Sequence, residues 1–315
     1  MTPPAALRLG TRASALARTQ SQWVADAVTA ATGVPVELVH ITTEGDRSAA
    51  AISQLGGTGV FVTAIRSALA EGTVDLAVHS YKDLPTAPAD GLTLAAVPGR
   101  EDPRDALVAR HGLTLGELPP GARVGTGAPR RMAQLRALGL GLEVVPIRGN
   151  VDTRMARALG RDGRPGDLDA VVLARAGLAR LGRLDAVTET LDPLQVLPAP
   201  AQGALAVECR TDDTRTRTLL AGLEDDTTRA CVVAERATLA ALEAGCSAPV
   251  AAYAELAEGE GGAELFLRAS VTALDGSDAV RDSITGPAEE AARLGRDLAA
   301  ALLDRGAAQL MAVAP

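Results

Sequence analysis

The sequence is short of aromatic residues and of lysine. Phe, Tyr and Trp make up 2% of the 315 residues, too few for the aromatic platforms on which single-stranded nucleic acids stack. Lys82 is the single lysine among 31 basic residues, so arginine carries almost all of the positive charge. A coding bias explains this scarcity, but a retained lysine also suggests a role that arginine cannot fill. The net charge of −8 argues against nucleic acids and anionic membranes as partners.

Cysteine is also scarce, and its spacing excludes common sites. Cys209, Cys231 and Cys246 form no CxxC pair, so we expect neither a metal site nor a redox dithiol. There is no export signal and no apolar run that could span a bilayer, so we expect free thiols in the cytoplasm. Cys246 follows Gly245 on a turn and is the reactive candidate, although a helix C-terminus disfavours a thiolate. The other two thiols lie in apolar segments and are expected to be buried.

Short apolar segments alternate with amphipathic ones through two successive blocks, which a charged turn at 100–105 separates. This alternation predicts two βα units with mostly parallel sheets. The segment 204–210 is predicted to be a further strand, but the sequence does not show which of the two blocks it joins. Beyond it, a helix over 226–244, antiparallel strands and a final helix over 287–311 predict a small α+β domain. The expected strands are 5–9, 36–42, 75–80, 92–97, 122–127, 142–148 and 169–174.

Arginine is concentrated where predicted strands turn into helices. Between Gly121 and Arg161 there are eight arginines and two acidic residues. The carboxyl ends of strands and the N-termini of helices are where open parallel sheets bind anions, so we expect a ligand with several carboxylates or phosphates. The alternative is a solvated surface of ion pairs. The three motifs are RLGTRAS with Arg12 and Ser14, GTGAPRR with Arg130 and Arg131, and IRGNVDTR with Arg148 and Arg154.

The motif VHSYKDLPT places Asp83 just after a buried strand. A carboxylate at that position can accept N–H bonds and stabilise a developing cation. An ordinary turn aspartate before Leu84-Pro85 is the alternative. His79 is expected to be a packed strand residue rather than a base.

Eight motifs in order resemble those of the porphobilinogen deaminase (hydroxymethylbilane synthase) family and cover nearly the whole chain. They are RLGTRAS, VHSYKDLPT, EDPRDALV, VGTGAPRR, IRGNVDTR, LARAGLARLG, LPAPAQGALAVECR and LEAGCSAP. The resemblance implies two βα lobes similar to type II periplasmic binding proteins and a small C-terminal α+β domain. Lobe 1 would comprise 1–100 and about 200–219, lobe 2 101–199, and the C-terminal domain 220–315.

The resemblance also implies an activity and its residues. The family is a transferase that condenses four porphobilinogen molecules head to tail into linear hydroxymethylbilane, releasing ammonia. It does so on a dipyrromethane cofactor, which a thioether to Cys246 would hold. Asp83 matches the catalytic carboxylate. The positions that match cofactor- and substrate-binding residues are Arg12, Ser14, Ser80, Lys82, Thr126, Arg130, Arg131, Arg148, Gly149, Arg154, Arg180 and Gln202.

The chain departs from the usual family pattern in places. The loop 54–64 lacks the lysines common there, which suggests a lid that contributes backbone contacts. Gly127-Ala128 replaces a serine pair, and Ala201 replaces a glycine. A rival interpretation is a non-catalytic two-lobed anion-binding protein, but it leaves LEAGCSAP without a role. We expect a monomer that uses no metal.

Overall fold

The computed structural model describes residues 5–41, 59–243, 248–259 and 262–312. Two compact units make up the chain. Unit 1 comprises Met1–Glu101 and Ala204–Arg229, and unit 2 comprises Asp102–Gly203 and Ala230–Pro315. In chain order the elements are β1 (Leu7–Thr11), α1 (Ala15–Thr32), β2 (Val36–His40), α2 (Gly59–Ala70), β3 (Leu76–Ser80), β4 (Leu92–Ala96), β5 (Asp105–Ala109), β6 (Arg123–Thr126), α3 (Pro129–Ala137), β7 (Glu143–Pro146), α4 (Val151–Leu159), β8 (Ala170–Ala174), α5 (Arg175–Arg180), β9 (Glu189–Thr190), β10 (Leu205–Arg210), α6 (Thr214–Leu220), α7 (Asp226–Ala241), β11 (Val250–Gly259), β12 (Gly262–Thr272), β13 (Ala279–Pro287), α8 (Ala291–Asp304) and α9 (Ala307–Ala312).

Unit 1 is built on a five-stranded sheet with the strand order β2-β1-β3-β10-β4. The strands β1, β2 and β3 run parallel, whereas β10 is antiparallel to both of its neighbours. The segment 204–210, which the sequence did not assign to either block, therefore joins the sheet of unit 1. Leu9, Leu76 and Val207 are buried in its core against the Val24 and Val28 side chains of α1.

Unit 2 contains a second five-stranded sheet with the order β7-β6-β8-β5-β9. Here β6, β7 and β8 are parallel, and β5 is antiparallel to β8 and β9. Each sheet has two parallel and two antiparallel pairings, because a single strand, β10 or β5, runs opposite to the other four. The prediction of mostly parallel sheets is therefore confirmed for strand direction, with one antiparallel strand in each sheet. The charged turn at 100–105 ends in the first residue of β5, Asp105, which the sequence analysis did not place in a strand.

The C-terminal part of unit 2 is a three-stranded antiparallel sheet, β11-β12-β13. Its apolar face packs against α7, α8 and α9, with Leu267, Leu294 and Leu298 among the buried residues. Two βα sheets of equivalent strand order and this small α+β layer confirm the predicted fold class.

Local sequence fixes the helix starts that follow the parallel strands. Ser14 is the N-cap of α1, and its side chain accepts the Ala17 N–H at 3.3 Å. Asn150 caps α4 in the same way by accepting the Thr153 N–H at 2.9 Å. Pro129 occupies the first turn of α3, where its missing N–H costs nothing. These helix starts face the strand ends that carry the predicted site residues.

Candidate active site

In unit 1, the predicted residues follow β1 and β3, which are parallel neighbours. Arg12 lies directly after β1 and is half-buried. Ser80 ends β3, and its hydroxyl exchanges hydrogen bonds with the Gln20 carboxamide at 3.0 and 3.2 Å. The sheet therefore brings the Arg12–Ser14 turn and the Ser80–Asp83 turn to one edge.

Asp83 ends a 3₁₀ turn, Tyr81–Asp83, and its side chain is exposed. The turn is anchored by Tyr81, which is buried and whose N–H donates to the Ala204 carbonyl at 3.0 Å. Lys82 is half-buried beside it. An exposed carboxylate on an anchored turn is available to a ligand while its backbone is held in place.

His79 is buried and lies 3.2 Å from the Glu208 carboxylate, which also accepts two hydrogen bonds from Arg66. Burial alone would raise the pKa of Glu208, but hydrogen bonds from His79 and Arg66 hold that pKa at about 2. His79 is thus a packed strand residue, as expected from the sequence.

In unit 2, the double arginine at the start of α3 is buried. Arg130 and Arg131 are each 4% exposed, and both donate to Asp105, which is fully buried. Arg130 Nη2 lies 2.8 Å from Asp105 Oδ2, and Arg131 Nη2 lies 2.8 Å from Asp105 Oδ1. Sequence analysis missed Asp105, although an apolar run directly after EDPRD could have indicated that the aspartate begins a buried strand.

Gln202 completes this cluster. Its carboxamide nitrogen donates to Asp105 Oδ1 at 2.7 Å, and its oxygen accepts from Arg131 at 3.3 Å. Burial alone would raise the pKa of Asp105, but the charges of Arg130 and Arg131 and the hydrogen bonds from Arg131 and Gln202 hold it well below its usual range. Burial lowers the pKa of Arg130, although Asp105 opposes that shift.

The residue before Gln202, Ala201, is held in place by a backbone hydrogen bond to a buried glutamate. Ala201 is buried and has a φ of +59°, a left-handed conformation that costs about 1–2 kcal/mol for a residue with a Cβ. Its N–H donates to the Glu235 carboxylate at 2.6 Å, and the Ala254 N–H donates to the same group at 2.8 Å. The replacement of the family's glycine by Ala201 therefore falls where glycine would be favoured.

The other arginines of unit 2 that the sequence predicts to bind the ligand are Arg148, Arg154 and Arg180, and they follow β7 and β8. Arg148 is exposed, and Gly149, with a φ of +105°, makes the turn into α4. A Cβ on Gly127 would lie 2.7 Å from the Ile147 carbonyl oxygen and 3.3 Å from an Arg154 nitrogen. The serine that the family usually has at Gly127 would therefore need the β7 end to move.

Arg180, at the end of α5, donates to the Gly203 carbonyl at 2.6 Å. Thr126 ends β6 and is fully buried. The predicted residues fall into two groups, one in each unit, and among those of unit 2 the shared Asp105 carboxylate brings Arg130, Arg131 and Gln202 together. Unit 1 holds Arg12, Ser14, Ser80, Lys82 and Asp83, and unit 2 holds Thr126, Arg130, Arg131, Arg148, Gly149, Arg154, Arg180 and Gln202.

Two predictions concern residues outside the described part of the chain. Cys246 lies there, as do residues 54–58 of the predicted loop 54–64; the remaining residues, 59–64, belong to the helix α2 rather than to a loop. Cys209 and Cys231 are described, and both are buried, as expected. Burial raises the pKa of the Cys209 thiol to about 11, which makes it a poor nucleophile at neutral pH.

The fold is that of an α/β protein with arginines at strand ends, an arrangement typical of anion-binding proteins. Residues 7–218 match the family model "Porphobilinogen deaminase, dipyromethane cofactor binding domain", and residues 229–304 match "Porphobilinogen deaminase, C-terminal domain". A porphobilinogen deaminase of Mycobacterium tuberculosis is 61% identical over 310 residues, covering 97% of this chain and 98% of the relative. One of Nocardia farcinica is 59% identical over 310 residues, covering 97% and 88%. The chain belongs to the porphobilinogen deaminase family.

Among solved structures, a periplasmic substrate-binding protein of an ABC transporter from Coxiella burnetii is 15% identical, with a TM-score of 0.44 over 69% of this chain and 91% of that chain. Across the described ranges, no helix is long and apolar enough to cross a membrane. Nor do those ranges bring three or more His, Cys, Asp or Glu side chains together as metal ligands.

The residues of unit 2 fit the cofactor of this family. Dipyrromethane carries acetate and propionate groups, and guanidinium groups are the best-matched partners of carboxylates in proteins. Arg131 Nε is buried and finds no hydrogen-bond partner within the described residues. A buried N–H donor on a cation, left without an acceptor, is what an incoming carboxylate would satisfy.

Proposed function

We propose that this chain joins four porphobilinogen molecules head to tail, releases one ammonia for each, and uses one water molecule to release the product as hydroxymethylbilane. The observation that carries the proposal is the match to both family models over nearly the whole chain, together with arginines at the strand ends of both units. The rival, a non-catalytic anion-binding protein, accounts for the arginines but not for the family.

Cys246 is the proposed attachment point of the dipyrromethane, through a thioether. When bound, this group supplies the free pyrrole α-carbon from which the product chain grows. The residues proposed to hold its carboxylates are Arg131, Arg148, Arg154 and Arg180, with Gln202 orienting Arg131. Lys82, Thr126 and Gly149 are proposed to contribute from the adjoining turns.

Asp83 is the proposed catalytic residue. Porphobilinogen loses ammonia to give a cationic azafulvene, and the positive charge is shared with the pyrrole N–H. An exposed carboxylate on an anchored turn can accept that N–H and stabilise the cation before and after carbon–carbon bond formation. The buried Tyr81 holds the turn, so the carboxylate is positioned without reorganisation.

The strand-end arginines are proposed to bind the substrate and the growing product. Each pyrrole brings two carboxylates, so negative charge accumulates with every addition. A charge-assisted hydrogen bond contributes about 1.5–3 kcal/mol, and Arg12 with the Ser14 turn offers such contacts in unit 1. Lys82 and Ser80 lie on the neighbouring turn.

The finer organisation is proposed on the same grounds. Three domains, 1–100 with about 200–219, 101–199 and 220–315, are supported by one sheet in each, although the second and third share a compact unit. A cytoplasmic location is supported by the free thiol of Cys209, and the absence of a nucleic-acid partner by the net charge of −8; the chain is also proposed to be a monomer.

The activity is tested by incubating the purified chain with porphobilinogen and measuring substrate, ammonia and bilane together. We expect four porphobilinogen molecules consumed and four ammonia molecules released per bilane. A purified chain that binds porphobilinogen without consuming it would support the anion-binding rival instead.

A further inference from the structure

The double arginine of unit 2 shares a single buried counter-ion. Both oxygens of the Asp105 carboxylate are engaged, Oδ2 by Arg130 and Oδ1 by Arg131, each at 2.8 Å. Gln202 donates to Oδ1 at 2.7 Å, and its own exposure is 1%. The cluster thus places two guanidinium groups, one carboxylate and one carboxamide away from water.

Backbone carbonyls occupy further donors of this cluster. Arg130 Nη1 donates to the Leu197 carbonyl, and Arg131 Nη1 donates to the Val172 carbonyl at 3.2 Å. Both Nη atoms of Arg131 therefore have protein partners, whereas its Nε has none within the described residues. The guanidinium of Arg131 is held by the partners of its two Nη atoms, so its Nε–H can donate to a ligand.

Two accounts of Asp105 make opposite predictions. If the cluster binds anions by charge alone, Asp105 weakens binding, because it reduces the charge of two arginines from +2 to +1. If the direction of the guanidinium donors matters more, Asp105 strengthens binding, because a buried donor misplaced by about 1 Å loses most of its effect. The Asp105 carboxylate bridges the two guanidinium groups, with one oxygen accepting from each, and this fixed arrangement favours the second account.

We propose that Asp105 is a positioning residue, which orients the buried guanidinium of Arg131 so that its Nε–H meets a ligand carboxylate. The ligand's identity as dipyrromethane rests on the proposed function; the arrangement of Asp105, Arg131 and Gln202 does not.

Asp105→Asn is the direct test. Asparagine has nearly the same shape but replaces one acceptor with an amide donor, which would face a guanidinium donor. We expect the fraction of purified chain that carries the covalent mass excess to fall, and the kcat/KM of the remaining loaded enzyme to fall by roughly tenfold or more, with KM raised. Loading equal to or above that of the unsubstituted chain would overturn the proposal in favour of the charge-only account.

Glu208→Gln is the matched control, because Glu208 is also a buried carboxylate paired with an arginine, but in the other unit. We expect this substitution to lower thermal stability while leaving the loaded fraction unchanged. A loss of loading as large as that of Asp105→Asn would show that any buried carboxylate matters and would contradict a specific role.

Gln202→Met keeps the test decisive if Asp105→Asn does not fold. It retains both arginines and the carboxylate, so the charge is unchanged, but removes the amide that holds Oδ1 and Arg131. We expect a folded chain with reduced loading, and full loading would overturn the proposal. An unsubstituted chain without any mass excess would instead refute the proposed function, so the two failures are distinguishable.

Discussion

Two aspartates with opposite surroundings carry most of the account at the residue scale. Asp83 is exposed on a short turn, whereas Asp105 is fully buried between two arginines. The oxygens of an exposed carboxylate can accept hydrogen bonds from a ligand, whereas those of the buried Asp105 accept them from the protein. This contrast supports the proposed role of Asp83 at the reacting pyrrole and the proposed role of Asp105 beside the arginines.

Replacing Asp83 with asparagine should stop chain elongation without preventing cofactor attachment. Asparagine keeps the size of the side chain but removes the negative charge that would stabilise the azafulvene cation, so we expect kcat to fall by a factor of about 100 or more. Mass spectrometry of the chain and the rate of porphobilinogen consumption measure the two effects separately.

Asp90→Asn provides the comparison, since Asp90 is also exposed in unit 1 but lies away from the end of β3. It should behave like the unsubstituted chain. Normal turnover by the Asp83→Asn variant would remove Asp83 from the mechanism.

At the scale of elements, an ion-pair cluster ties α2 to the sheet of unit 1. Arg66 on α2 donates to Glu208 on β10 at 3.0 and 2.7 Å, and His79 on β3 contacts the same carboxylate. The cluster joins α2 to two strands of the sheet, β3 and β10. Removal of its carboxylate leaves the half-buried guanidinium of Arg66 without its counter-ion, which lowers stability.

Glu208 should also make the free energy of unfolding fall at acidic pH. Its pKa of about 2 in the folded chain is below the ordinary value of 4.5, so its contribution is complete above pH 4.5 and is lost as the pH falls towards 2. We expect Glu208→Gln to lower the free energy of unfolding by about 3 kcal/mol at pH 7. Urea unfolding of both chains between pH 7 and 2 should show this difference shrink below pH 4.5, and a constant difference would contradict the assignment.

The elements also show what the sequence could and could not predict. Strand ends, helix caps and the arginine turns are local features, and residues such as Ser14 and Asn150 predict them directly. Strand pairing is not local, so the antiparallel placement of β5 and β10 was invisible in the sequence. Asp105 was missed for a related reason, because its partners lie 25 to 97 residues away along the chain.

At the scale of the whole molecule, one region is strongly basic although the chain as a whole is acidic. The chain has a net charge of −8, yet the region from Gly121 to Arg161 carries eight arginines and two acidic residues. Repetition of one strand order in both units places arginine-bearing turns at equivalent strand ends. This distribution suits a product that gains two carboxylates with each added ring, and family membership gives that product its identity.

The central claim is that the chain works on a dipyrromethane bound to Cys246, and the intact mass of the purified protein tests it most directly. We expect the unsubstituted chain to be heavier than its sequence by the mass of the bound group. Cys246→Ser should abolish that excess together with activity. Cys209→Ser should retain both, because that thiol is buried and its pKa is raised. A purified chain with the mass of its sequence and full activity would contradict the account.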